Sequence, residues 1–215
     1  MHRSLAGFLA AAASIILFSA AGARADTVLT ATLTNGQEGN ISPTTGAGVP
    51  RTSSGTATFV LNDARTAMTF TATVTGIDFT GSQSADTNDN LTNAHIHASS
   101  DPNFTPPQTG GVVWGFFGAP FNDNNPNDQV VTPFATGVGG TVSGKWDLNE
   151  GNNTNLAAQI PNILAGRSYI NFHTVQFGGG EIRGAIVPEP AAAASLMGGL
   201  ALLGSRLARR RGGRR

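Results

Sequence analysis

In TAMTFTATVT, residues 66–75, every second residue is apolar: Met68, Phe70, Ala72 and Val74 alternate with Thr69, Thr71 and Thr73. A period of two places the four apolar side chains on one face of an extended strand and the threonines on the other, and no helix reproduces it. VLTATLT repeats the pattern, with Leu29, Ala31 and Leu33 against Thr30, Thr32 and Thr34. GTATFVLN reads as the hairpin partner of the 66–75 run, joined to it through Asn62-Asp63-Ala64-Arg65. Further strands are expected at 94–98, 112–117, 140–147, 168–174 and 181–187, with one helix at 154–164 that Pro161 is placed to end or bend. The expected fold is all-β: one antiparallel β-sandwich or flattened Greek-key barrel of about eight strands, apolar on one face and polar on the other. Its loops at 80–90 and 120–133 are long and rich in Asn, Asp and Gly. The acidic strings DTNDN and NDNNPND lack the spacing and terminal Glu of an EF-hand and read as turns.

The two ends differ in kind from this body. Residues 1–25 have the layout of a secretory signal peptide: Arg3, an apolar stretch from Leu5 to Phe18, and Ala23-Arg24-Ala25 as cleavage site. The net charge of zero conceals an asymmetry, because all 13 acidic residues lie between Asp26 and Glu189. The same stretch holds five cations, Arg51, Arg65, Lys145, Arg167 and Arg183, a balance of −8. An acidic exported body is not expected to bind nucleic acid. The chain has no cysteine, so disulfides and thiol chemistry are excluded, and any metal site must use His and carboxylate.

After Val187 come Pro188-Glu189-Pro190, an apolar run from Ala191 to Gly204, and a cluster containing Arg206, Arg209, Arg210 and Arg211. The run is short for a bilayer core of about 30 Å and carries a stop-transfer cluster, which suits a temporary inner-membrane hold. This order resembles the PEP-CTERM sorting signal of Gram-negative bacteria. The resemblance implies Sec export, transient inner-membrane anchoring and removal of the tail by an exosortase. Its destination would be the cell surface or the exopolysaccharide matrix, with matrix components as partners. The expected organisation is signal peptide 1–25, β-domain 26–187 and sorting tail 188–215.

Three histidines remain once His2 leaves with the signal peptide. In an extended strand His95 and His97 share a face, opposite Ile96. On the 168–174 strand Tyr169, Asn171 and His173 share one face, opposite Ile170 and Phe172; on the last strand Glu181 and Arg183 lie opposite Ile182. The strings AHIH, YINFHT and GEIRG, with Gln37 and Glu38 in the opening LTNGQEG, resemble the CHRD domain over about residues 27–187. That resemblance implies an extracellular β-sandwich, a structural or binding module that is not an enzyme.

Two readings of the histidines stand side by side. In one, His95, His97 and His173 gather around copper or zinc, and Glu181 is a fourth ligand or supports the ligands from behind. The chain would then be a secreted metal-binding or redox protein. In the other, the same side chains form a buried network: Arg183 pairs with Glu181 or another carboxylate, and the histidines donate to backbone carbonyls. The H-x-H pair on a β-fold is similar to copper–zinc superoxide dismutases, whose remaining ligands have no counterpart here, so dismutase activity is not expected. No nucleophile motif such as G-x-S-x-G is present. Trp114 and Trp146 are candidate sugar-stacking residues, although both sit in strand patterns that suit a core position.

Overall fold

The computed structural model describes residues 25–39, 51–105 and 107–189. Residues 1–24 of the expected signal peptide and, in the expected sorting tail, Pro190, the apolar run and the arginines 206, 209, 210 and 211 lie outside the described residues. Among the described residues no helix is long and apolar enough to cross a membrane.

Among the described residues ten strands and one α-helix follow in chain order: β1 (Thr27–Thr34), β2 (Ser54–Leu61), β3 (Ala67–Thr75), β4 (Leu91–Ala98), β5 (Gly111–Phe117), β6 (Val130–Pro133), β7 (Gly139–Asp147), α1 (Leu156–Leu164), β8 (Ser168–Thr174), β9 (Ile182–Ala185) and β10 (Val187–Pro188). All pair antiparallel in one sheet of order β5-β4-β8-β9-β1-β2-β3-β7-β6, with β10 also on β1. The fold is therefore all-β, as the alternation requires, with two strands more than expected. The expected strand 181–187 is divided at Ile186 into β9 and β10, and β6 arises within a stretch read as loop.

The sheet curls over its own apolar face. Phe70 of β3 lies 5.7 Å from the Trp114 ring and 4.6 Å from the Phe116 ring of β5, although β3 and β5 are far apart in strand order. Trp114 and Trp146 stack at 5.4 Å with an interplanar angle of 7° and are fully buried. They are core residues, and neither presents a face to a sugar. On β3 the even positions Met68, Phe70, Ala72 and Val74 are buried and the threonines exposed. Asn62 closes the β2–β3 turn, its side-chain oxygen accepting from the Thr66 N–H. Pro161 does not end α1. Asn155 caps the helix through the Ala158 N–H, burial of Leu156, Ile160 and Ile163 holds it to the core, and the Ala165 N–H reaches the Pro161 carbonyl.

One half of the sheet differs from the other. Along β8 every residue is buried, on both faces. Ile170 and Phe172 face the apolar core. Tyr169, Asn171 and His173 face the other way, under loops, beside His97, His95 and Asn93 of β4. On the other flank of β8, Asn171 pairs with Arg183 of β9. This second, polar interior is where the candidate site lies.

Candidate metal centre

His95 and His97 arrive from β4 and His173 from neighbouring β8, so the sheet brings together all three imidazoles that the sequence singles out. One ring nitrogen from each lies within 4.8 Å of the other two, and all three side chains are buried. Each ring has one nitrogen committed to a backbone carbonyl. His95 Nε2 is 3.0 Å from the Ala119 oxygen, His97 Nδ1 3.0 Å from the Gly110 oxygen, and His173 Nδ1 3.0 Å from the Gly178 oxygen. A carbonyl only accepts, so these three nitrogens carry the hydrogens. In neutral imidazole the remaining nitrogens are then lone pairs: His95 Nδ1, His97 Nε2 and His173 Nε2.

The lone pairs do not satisfy one another. His95 Nδ1 and His173 Nε2 stand 3.2 Å apart, hydrogen-bond distance, with both hydrogens already spent on carbonyls. His97 Nε2 is buried and has no hydrogen-bond partner. Protonation is opposed as well. Burial pushes His97 down from 6.5 to about 3 and His173 to about 4, with the other imidazoles and Arg183 adding repulsion. His95 is lowered by burial too, against the pull of the Ala119 carbonyl. Three neutral nitrogen donors facing one volume, each held from behind by a carbonyl, is an arrangement suited to a divalent transition metal.

The supports come from three loops, and a glycine lets one of them approach. A Cβ at Gly115 would lie 1.7 Å from the Pro120 carbonyl oxygen and 3.1 Å from the His95 ring. Only glycine allows the loop carrying the Ala119 carbonyl this close to β5. His97 is fixed further by stacking on Tyr169, with ring centroids 4.7 Å apart and planes 9° from parallel. Since β8 lies between β4 and β9, Tyr169 is flanked by His97 on one side and Arg183 on the other, the guanidinium carbon 4.4 Å from the ring centre. The Tyr169 hydroxyl meets the Gly110 backbone, the same residue whose carbonyl holds His97.

Glu181 is not among the groups gathered with the imidazoles. Its carboxylate accepts from the Ser53 hydroxyl and, at 2.6 Å, from the Thr174 hydroxyl, with Arg51 3.7 Å away. Burial raises its pKa, and those donors oppose the rise. Nor does Glu181 pair with Arg183. Arg183 is held by Glu38, with Nε 2.9 Å and Nη2 2.5 Å from Glu38 Oε2. Glu38 is itself raised by burial against the stabilising Arg183 charge. The acidic strings organise turns: Asp86 accepts from the Asn88 N–H and Asp123 from the Asp128 N–H. Of the residues read from sequence as a sorting signal, Pro188 pairs with Leu29 at the end of β10, and the Glu189 N–H donates to the Val28 carbonyl.

Glu38 and Tyr169 are the supporting residues that site reasoning from sequence does not assign. Tyr169 carries a signal, since it shares a strand face with His173. The Gly110, Ala119 and Gly178 carbonyls carry none, being backbone. The sequence model of the CHRD domain matches residues 29–186. No curated protein and no solved structure matches the chain.

Proposed function

We propose, from the premise that the chain belongs to the CHRD domain family, that it is an exported extracellular module whose domain binds a divalent metal ion, copper or zinc, through His95, His97 and His173. One observation carries the metal reading: each imidazole spends one nitrogen on a carbonyl, the free nitrogens of His95 and His173 face each other at 3.2 Å, and a ligand nitrogen from each of the three rings lies within 4.8 Å of the others. For metal–nitrogen bonds of about 2.0–2.1 Å, tetrahedral geometry sets the nitrogens about 3.3–3.4 Å apart. The His95–His173 pair at 3.2 Å is at that spacing already. From a separation of at most 4.8 Å, closure of His97 by up to about 1.5 Å completes the set. Copper is expected to bind more tightly than zinc, as nitrogen sites generally do.

The module is displayed on the cell surface or in the exopolysaccharide matrix of a Gram-negative bacterium. Support for this setting comes from the signal peptide and from the order of Pro188-Glu189-Pro190, apolar run and arginine cluster. Sec export delivers the chain, the tail holds it at the inner membrane, and an exosortase releases it. The domain itself needs no catalytic group for this role.

Titration calorimetry with Cu²⁺ and Zn²⁺ tests the metal reading. The expected result is one equivalent bound, with affinity lost on His173→Ala. The competing reading is that the histidines only brace the strands, for which the carbonyl bonds speak. It requires no heat of binding and a melting temperature unmoved by metal.

A further inference from the structure

The proposed centre has three donors and no carboxylate. The two acidic residues flanking it in the polar interior are committed elsewhere, Glu38 to Arg183 and Glu181 to Ser53 and Thr174. The sequence supplies no substitute. Every Asp and Glu lies between Asp26 and Glu189 and is described, and residues 1–24, 40–50, 106 and 190–215 contain no Cys, Asp or Glu and no histidine but His2. The partners behind the imidazoles are neutral carbonyls, and the charged group nearest the His97–Tyr169 stack is the cation Arg183.

A dication held here by three neutral imidazoles leaves its fourth tetrahedral position without an anionic protein donor and its charge without a protein counterion. Three-donor sites of this kind keep a position for an exogenous ligand. A buried ion is costly unless paired. We infer that the metal centre is completed by a small monovalent anion from solution, bound directly to the metal in the fourth position. Hydroxide, a halide or the carboxylate of an incoming ligand all meet this description. The inference rests on the metal reading above and extends it to the class of ligand the site takes.

Azide serves as the probe. The full chain is titrated with Cu²⁺ in an anion-poor buffer, with and without saturating azide, and the visible spectrum is followed. Azide is expected to produce an anion-to-copper charge-transfer band that saturates at one equivalent per metal. By reciprocity it raises Cu²⁺ affinity about tenfold or more. His97→Asn keeps an amide N–H at the Nδ1 position for the Gly110 carbonyl while removing the Nε2 lone pair, and is expected to lose the band. Copper that binds with unchanged affinity and spectrum in azide overturns the inference and leaves the metal site standing. So does tighter binding of Cu⁺ than of Cu²⁺ with no response to azide, since a monocation needs no counterion. Absence of any metal binding overturns the site and the anion together.

Discussion

Two polar clusters share the covered face of the β4-β8-β9 half-sheet, and they are built on opposite terms. In the carboxylate cluster charge meets its complement: Glu38 faces Arg183, and Glu181 receives two hydroxyls with Arg51 close by. In the histidine cluster like meets like, lone pair to lone pair. Both are buried and both sit on strands, so neither burial nor residue type separates scaffold from site. The direction of the hydrogen bonds does. Paired charges stabilise a register even with Glu38 Oε1 left without a hydrogen-bond partner, whereas convergent acceptors without a donor are what the proposed metal reading rests on.

The comparison breaks first at Arg183. Arg183→Ala leaves the Glu38 carboxylate buried without its cation and removes the cover from Tyr169, at a cost of about 3–5 kcal/mol. Chemical denaturation under chelator checks this. A loss below about 1 kcal/mol would mean that the carboxylate cluster is not the charge-paired scaffold described.

His97→Asn, whose amide nitrogen takes the place of Nδ1, is next, and its effect belongs on the other side of the comparison. Metal affinity is expected to fall about 100-fold, while the metal-free protein loses at most about 1 kcal/mol because the Gly110 bond is retained. If the metal-free protein loses as much as it does with Arg183→Ala, the histidines are scaffold. Tyr169→Leu, which removes the stack on His97 without touching a ligand, should weaken metal binding roughly tenfold. Titration calorimetry with Cu²⁺ measures it, and an unchanged affinity would show that the carbonyl alone orients the ring.

The pH dependence sharpens the contrast by its sign. His97 and His173 have folded values near 3 and 4 against an ordinary 6.5, so between these limits the unfolded chain binds more protons. Their contribution to stability is complete above 6.5 and declines as the pH falls toward 3. Asp123, fully buried with one oxygen lacking a hydrogen-bond partner, runs the other way, since burial and the nearby Glu150, Asp128 and Asp147 push it up to about 6. Its stability contribution is complete below about 3.8 and is lost as pH rises through 6. Asp123→Asn is therefore expected to raise the melting temperature at pH 7.5, with the gain shrinking as pH falls below 6. A gain independent of pH would contradict the buried charge.

What the sequence discloses follows from what each contact needs. The alternation of β1, β2, β3 and β8 is local, and so was readable. β6 is four residues long and ends in Pro133, which leaves too little pattern to distinguish from the Asn-rich loop before it. The pairing of His95 with His97 was legible because i and i+2 on one strand share a face, whereas the arrival of His173 beside them depends on β8 pairing with β4. The partner of Arg183 was not, because Glu38 lies 145 residues away and Glu181 offered a nearer carboxylate. The carbonyl supports were not legible either, since the Ala119 carbonyl reaches His95 through a backbone approach that Gly115 permits and no side chain announces.

The central claim is about which nitrogens are lone pairs, and nitrogen NMR of the imidazoles reads that directly. In the metal-free protein at pH 7.5 the account predicts protonated His95 Nε2, His97 Nδ1 and His173 Nδ1, with the other three ring nitrogens unprotonated. Adding one equivalent of Zn²⁺ should move the signals of His95 Nδ1, His97 Nε2 and His173 Nε2 strongly and leave the three protonated nitrogens in place. Zinc that moves none of the six, or that moves the nitrogens facing Ala119, Gly110 and Gly178, would contradict it.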